Sequence, residues 1–129
     1  MQQDYIFQSI RDAAILTAAY VAGTVLGPSN TTPMLRNQLN VLVDLTIGSL
    51  TSASVKVEYS NDGTDWYQET FMSVDTGVAS GLGGIYTFVG TGKYMISIPI
   101  KAAYIRISGI GTGTLTGSSL KLGAIVGVV

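Results

Sequence analysis

Residues 38–48 read QLNVLVDLTIG. Leu39, Val41, Val43, Leu45 and Ile47 alternate there with Asn40, Leu42, Asp44 and Thr46. Successive side chains of a strand point to opposite faces, so this period of two predicts a strand with one apolar face. Leu42 interrupts the polar set. That second face is therefore also expected to be partly covered, at a domain edge or by a partner.

The same pattern recurs outward from this segment. Val55, Val57 and Tyr59 alternate with Lys56 and Glu58, predicting a strand over Ser54–Ser60 after a turn at Gly48–Ala53. The chain then turns through SNDGTDW, residues 60–66. Asn61-Asp62-Gly63 is turn chemistry, because Gly63 can take the left-handed conformation that side chains disfavour. A returning strand is expected from Trp66 to about Phe71, followed by a Gly-rich excursion over residues 73–84. Further strands are expected at Ile85–Val89, Tyr94–Ile98 and Ala103–Ser108. Pro99, which has no amide to donate, should end the second of these. The tail TLTGSSLKLGAIVGVV reads as one or two strands with a turn near Gly117-Ser118.

On the N-terminal side, PSNTTPMLRN (residues 28–37) reads as a loop. The preceding AAILTAAYVAGTVLG has helical Ala content, but Thr17, Tyr20, Val21, Thr24 and Val25 favour strands. Gly23 and Gly27-Pro28 would break a helix early, so two short strands bending at Gly23 are expected. Residues 1–12 read as an arm or edge segment ahead of one domain at 13–129. Many short strands at this spacing predict an all-β protein, a jelly-roll-like antiparallel β-sandwich.

Composition narrows the function. Of 129 residues, 47% are hydrophobic, enough to fill one core, and only 12% are charged. A net charge of -1 with scattered Lys and Arg argues against nucleic acid or an anionic membrane as partner. The opening residues MQQDYIFQSIRD lack the basic leader and apolar core of a secretory signal. There is no Cys and no His, so thiol nucleophiles, imidazole bases and zinc–thiolate sites are absent. The acidic residues around Asn61, namely Asp62, Asp65 and Glu69, offer too few oxygens in a recognisable order for Ca²⁺. No pair of carboxylates is singled out for glycoside hydrolysis, and the Gly-rich pieces lack a phosphate-binding Lys. The expectation is a non-enzyme without metal or cofactor. Trp66 and Tyr67 remain candidates for stacking on a sugar, although packing at the core or sheet edge explains Trp66 as well. Arg106 is expected to pair with a carboxylate that the sequence does not identify.

VKVEYSNDGTDW together with AAYIRISG resembles two groups of proteins. In the discoidin-type jelly roll, Val57, Tyr59, Ser60, Asp62, Gly63 and Trp66 match a strand and hairpin, and Tyr104, Ile105 and Arg106 match a later strand. That resemblance implies a glycan- or lipid-headgroup-binding module. The flanking cysteines usual in that group are missing here. DAAILTAAYVAGTVLGP, RNQLNVLVDLTIGSLTSASVKVEYSNDGTDWYQE and AAYIRISGIGTGT also look like small β-sandwich accessory proteins of tailed-phage virions. That resemblance, over roughly residues 12–126, implies a structural unit that trimerises and decorates a capsid or builds a tail or fibre.

Assembly is expected on physical grounds as well. The second face carrying Leu42, and the apolar tail Ala124–Val129, both need cover. The interface candidates are Tyr5, Phe7 and Leu42. The expected setting is the capsid surface of a virion, after synthesis in the host cytoplasm. The expected partners are two further copies and a major capsid or other virion protein. A carbohydrate-binding module using Trp66 and Tyr67 is the alternative.

Overall fold

The computed structural model describes residues 4–27, 38–72 and 79–128. Ten strands are present among them: β1 (Asp4–Ala14), β2 (Val21–Ala22), β3 (Gln38–Thr46), β4 (Leu50–Ser60), β5 (Thr70–Met72), β6 (Ala79–Leu82), β7 (Ile85–Phe88), β8 (Gly92–Pro99), β9 (Tyr104–Gly113) and β10 (Ser119–Val128). They form two four-stranded sheets, β1-β10-β3-β8 and β2-β9-β4-β7, with β5 and β6 paired separately. Every pairing is antiparallel. Counting the eight sandwich strands alone, one sheet runs first, eighth, third, sixth and the other second, seventh, fourth, fifth. That order is the jelly roll, two interlocked Greek keys.

β3 is the strand that the alternation predicted. Leu39, Val41, Val43 and Leu45 are buried, and Ile47 packs against the same core. Each sheet supplies alternate residues to that core. Leu120, Leu122 and Ala124 come from β10, Ile96 and Ile98 from β8, Val55 and Val57 from β4, and Ile105 and Ile107 from β9. Leu16 and Leu26 close the layer from the segments flanking β2. On the open side between β7 and β8, Phe88 stacks on Tyr94 at 4.5 Å, and the Tyr94 hydroxyl donates to the Gly90 carbonyl at 2.7 Å.

Three local readings change. β4 begins at Leu50, inside the segment expected to be a turn, and Leu50 and Ala53 are buried. The strand predicted to return from Trp66 makes only an isolated bridge, Tyr59 with Tyr67, before the chain leaves for β5. β9 and β7 instead occupy the two sides of β4. Part of the Gly-rich excursion, Ala79–Leu82, is β6, while residues 73–78 lie outside the described residues. The apolar tail is one strand, β10, lying between β1 and β3. Within it Ala124 is buried and Ile125 half-buried. The expectations agree with the structure at Pro99, where β8 ends, and near Gly117, which has a φ of 75° in the last turn. Of the two short strands expected around Gly23 only Val21–Ala22 forms, with an isolated bridge at Leu26, and the loop expected at 28–37 lies outside the described residues.

β1 spans most of the expected arm and is an edge strand paired from Asp4↔Val128 to Ala14↔Leu120. Its ladder is irregular between Ser9 and Arg11 and between Arg11 and Ala14. Such bulges bend an edge and discourage further pairing.

Leu122→Ala should destabilise the fold by about 2–5 kcal/mol, since it leaves a cavity between the sheets. Leu42→Ala, on the outer face of the same sheet, should cost about 1 kcal/mol or less. Urea unfolding of both variants checks the difference.

Candidate functional site: two unlike outer faces

The outward side of each sheet carries the residues singled out from the sequence, and the two sides differ in chemistry. On β9 and β4, Arg106 and Glu58 are cross-strand partners. The guanidinium Nε and one terminal nitrogen donate to Glu58 Oε1 at 3.2 and 2.9 Å. Lys56 Nζ approaches the same oxygen at 3.7 Å. The ladder ends in aromatic rings on both sides. Lys56 lies 4.2 Å from the centre of the Tyr20 ring, and Arg106 lies 4.5 Å from the centre of Trp66. Cations attract the negative face of a ring, and partial burial strengthens both the cation–π and the ion-pair contacts. Burial raises the pKa of the Tyr20 hydroxyl.

Trp66 is therefore half-buried on the outer surface of the second sheet, outside the core. Arg106 occupies one of its faces. Tyr67, next in sequence, is 67% exposed, and its backbone exchanges two 2.8 Å hydrogen bonds with Tyr59. The carboxylate partner of Arg106 was not legible, because only the β4–β9 register places Glu58 opposite it.

The loop before Trp66 is organised from within. Ser60 Oγ accepts from the amides of Asp62 and Gly63 and donates to Asp62 Oδ1. The same Oδ1 accepts from the amides of Thr64 and Asp65 at 2.8 and 2.9 Å. These backbone donors, Asp65 first and Thr64 next, hold the Asp62 carboxyl down at about 2. Gly63 has a φ of 77°, as a turn residue without a Cβ allows. One Asp62 oxygen is thus committed to the turn. Among the described residues, no group of three His, Cys, Asp or Glu side chains could hold a metal ion.

The outer face of β1-β10-β3-β8 is different. Gly123, Leu42 and Met95 are in cross-strand register on β10, β3 and β8. The Phe7 ring from β1 lies directly over Gly123, where a Cβ would come within 2.4 Å of it. Gly123 is thus the seat of Phe7. Phe7 is 57% exposed and Met95 61%, while Leu42 is half-buried. Together with Tyr94 they border an open groove of about 400 Å³. The next cross-strand row, Lys121, Asp44 and Lys93, forms its polar end.

Two of the three interface candidates, Phe7 and Leu42, therefore line one surface although they are far apart in sequence. Tyr5 lies on β1 opposite Gly127, and its side chain is outside the described residues. Met95, Lys93 and Lys121 were not singled out from the sequence. The alternation of β8 places Met95 on the face opposite Ile96 and Ile98, which is a signal that could have found it.

The fold has relatives among solved structures. The SPBc2 prophage-derived protein YomS is similar over 99% of this chain and 96% of its own, at 14% identity and a TM-score of 0.56. The PBSX exported protein XepA is similar over 99% of this chain, at 12% identity and a TM-score of 0.53. The chain spans only 39% of XepA. No protein-family model and no curated protein matches the sequence. At these identities the likeness establishes a shared all-β fold.

Two measurements follow from this geometry. Arg106→Ala should shift the emission of Trp66, the single Trp, to longer wavelength by opening its covered face to water, without loss of the fold. Asp62 has a folded value below its ordinary 3.8, so the order it gives the loop is present above about pH 4. That order is lost as pH falls through about 2. The amide resonances of Thr64 and Asp65 should titrate with that low midpoint, and Asp62→Ala should abolish their shared transition.

Proposed function

We propose that this chain is a structural virion protein, a capsid decoration or stabilising unit that acts by protein–protein contact as a homotrimer. The exposed apolar groove bounded by Phe7, Leu42 and Met95 carries this reading. An apolar patch of this kind on a weakly charged protein is suited to burial against another protein surface. The prophage origin of YomS, which carries this fold from end to end, supports a phage setting. The mechanism is geometric. A rigid sandwich bridges neighbouring subunits, and each Å² of apolar surface removed from water adds roughly 25 cal/mol to the attachment.

The carbohydrate-binding alternative would use Trp66 and Tyr67. Arg106 already covers one face of Trp66, which leaves Tyr67 as the openly exposed ring of the pair.

Light scattering coupled to size exclusion should give a mass near three times 13.5 kDa. Purified particles from a producing host should contain the chain at stoichiometric copy number on the capsid surface, as seen by quantitative blotting and immunogold labelling. Absence from particles, combined with saturable glycan binding lost in Tyr67→Ala, would replace this reading with the carbohydrate-binding one.

A further inference from the structure

Among the described residues most charged side chains are engaged internally, and the two cations that are not stand together. Among the described residues, Lys56 and Arg106 engage Glu58, Lys101 engages Glu69 at 2.9 Å, and Arg11 donates to the carbonyls of Leu120, Ala14 and Ile15. The described cations left without an ion pair or hydrogen bond are Lys93 and Lys121. Both stand at the polar end of the groove. They flank Asp44 in register without closing a salt bridge to it, so that end carries one surplus positive charge.

Among the described carboxylates, Glu58, Asp62 and Glu69 are engaged, which leaves Asp12, Asp44 and Asp65. Asp44 belongs to the groove itself, and Asp12 stands beside Arg11 on β1, in the same sheet as the groove. Asp65 differs from both. It lies in an exposed loop that also carries the ionised Asp62, two residues before the exposed ring of Tyr67. The loop follows Ser60 at the end of β4, on the other sheet from the groove.

One surface is thus an apolar groove ending in two unpaired lysines. The other is an acidic projection beside an exposed aromatic. We infer that the groove of one copy receives the Asp65–Tyr67 loop of a second copy, with Tyr67 against Phe7, Leu42 and Met95, and Asp65 near Lys93 and Lys121. The two surfaces of the same chain are complementary in charge, and each is left unsatisfied by the fold. Because the two surfaces differ, the contact is head-to-tail, and such contacts close into a ring or continue as a filament. The inference rests on the self-association part of the proposed function and names its interface. Burial of a Tyr in an apolar pocket would supply the anchor, and the charges would set its orientation.

The test uses two full-length variants altered only at exposed positions. Lys93→Glu/Lys121→Glu reverses the groove's charge, and Asp65→Ala/Tyr67→Ala removes the projection. Circular dichroism and melting temperature establish that both remain folded. Each variant alone should be monomeric where the wild type is oligomeric, with the midpoint concentration for assembly raised at least about tenfold. Mixed in equal amounts, the variants retain one intact groove and one intact projection between them. They should form a dimer by light scattering and nothing larger. Oligomers of unchanged mass in either variant, or a mixture that stays monomeric, would overturn the interface. Added salt should weaken wild-type assembly as it screens the lysine–aspartate attraction. A wild type monomeric at every concentration would overturn the interface together with the homotrimer. Capsid attachment of single copies, measured by co-sedimentation with particles, would still stand or fall separately.

Discussion

The fold depends on β10 lying between β1 and β3. This placement joins Phe7 to Ile125 and Leu45 to Leu120 in one sheet, and it sends Leu120, Leu122 and Ala124 into the core. Without it, the apolar face of β3 would have a neighbour only on the β8 side, and β1 would have no strand to pair with. Pairing partners so distant in sequence requires closure of most of the chain before the contact forms. The jelly-roll order is the consequence, because each inner strand must be reached across the sandwich.

The two sheets use their outer faces differently. On β4 and β9, charge is compensated within the face, with Glu58 shared by Arg106 and Lys56 and the ladder ended by Trp66 and Tyr20. Such a face keeps one positive charge over, but each of its charged groups has a partner. On β3, β8 and β10, a glycine replaces a side chain at the centre and Phe7 leans into the space. The neighbouring lysines have no ion pair with Asp44, and the apolar rings and chains remain in contact with water. An interaction surface is expected where the fold leaves both apolar area and charge unsatisfied, and the second face meets both conditions.

Local patterns were legible where one face of a strand is buried. Leu39 to Ile47 and Val55 to Tyr59 alternate because a sandwich strand has one dry side. Asn61-Asp62-Gly63 announced a turn because only such residues close one cheaply. The hairpin expected after Trp66 failed for a reason of competition. β4 already has β9 on one side and β7 on the other, so the returning chain can add only the Tyr59–Tyr67 bridge. The start of the apolar tail, Ala124 and Ile125, is paired on both sides, by β1 and β3. Leu42 on a polar face was readable as an irregularity, and Phe7 as an exposed aromatic near the start.

By itself the sequence determined the all-β class, the inward sets on β3 and β4, the turn at Gly63 and the absence of thiol and imidazole side chains. These follow from side-chain type and near-neighbour spacing, which act within a few residues. Only the tertiary structure decided that Phe7, Leu42, Met95, Lys93 and Lys121 share a groove and that Arg106 sits between Glu58 and Trp66. Those neighbours lie on different strands. Strand order and register bring them together, and both are set by how the whole core closes.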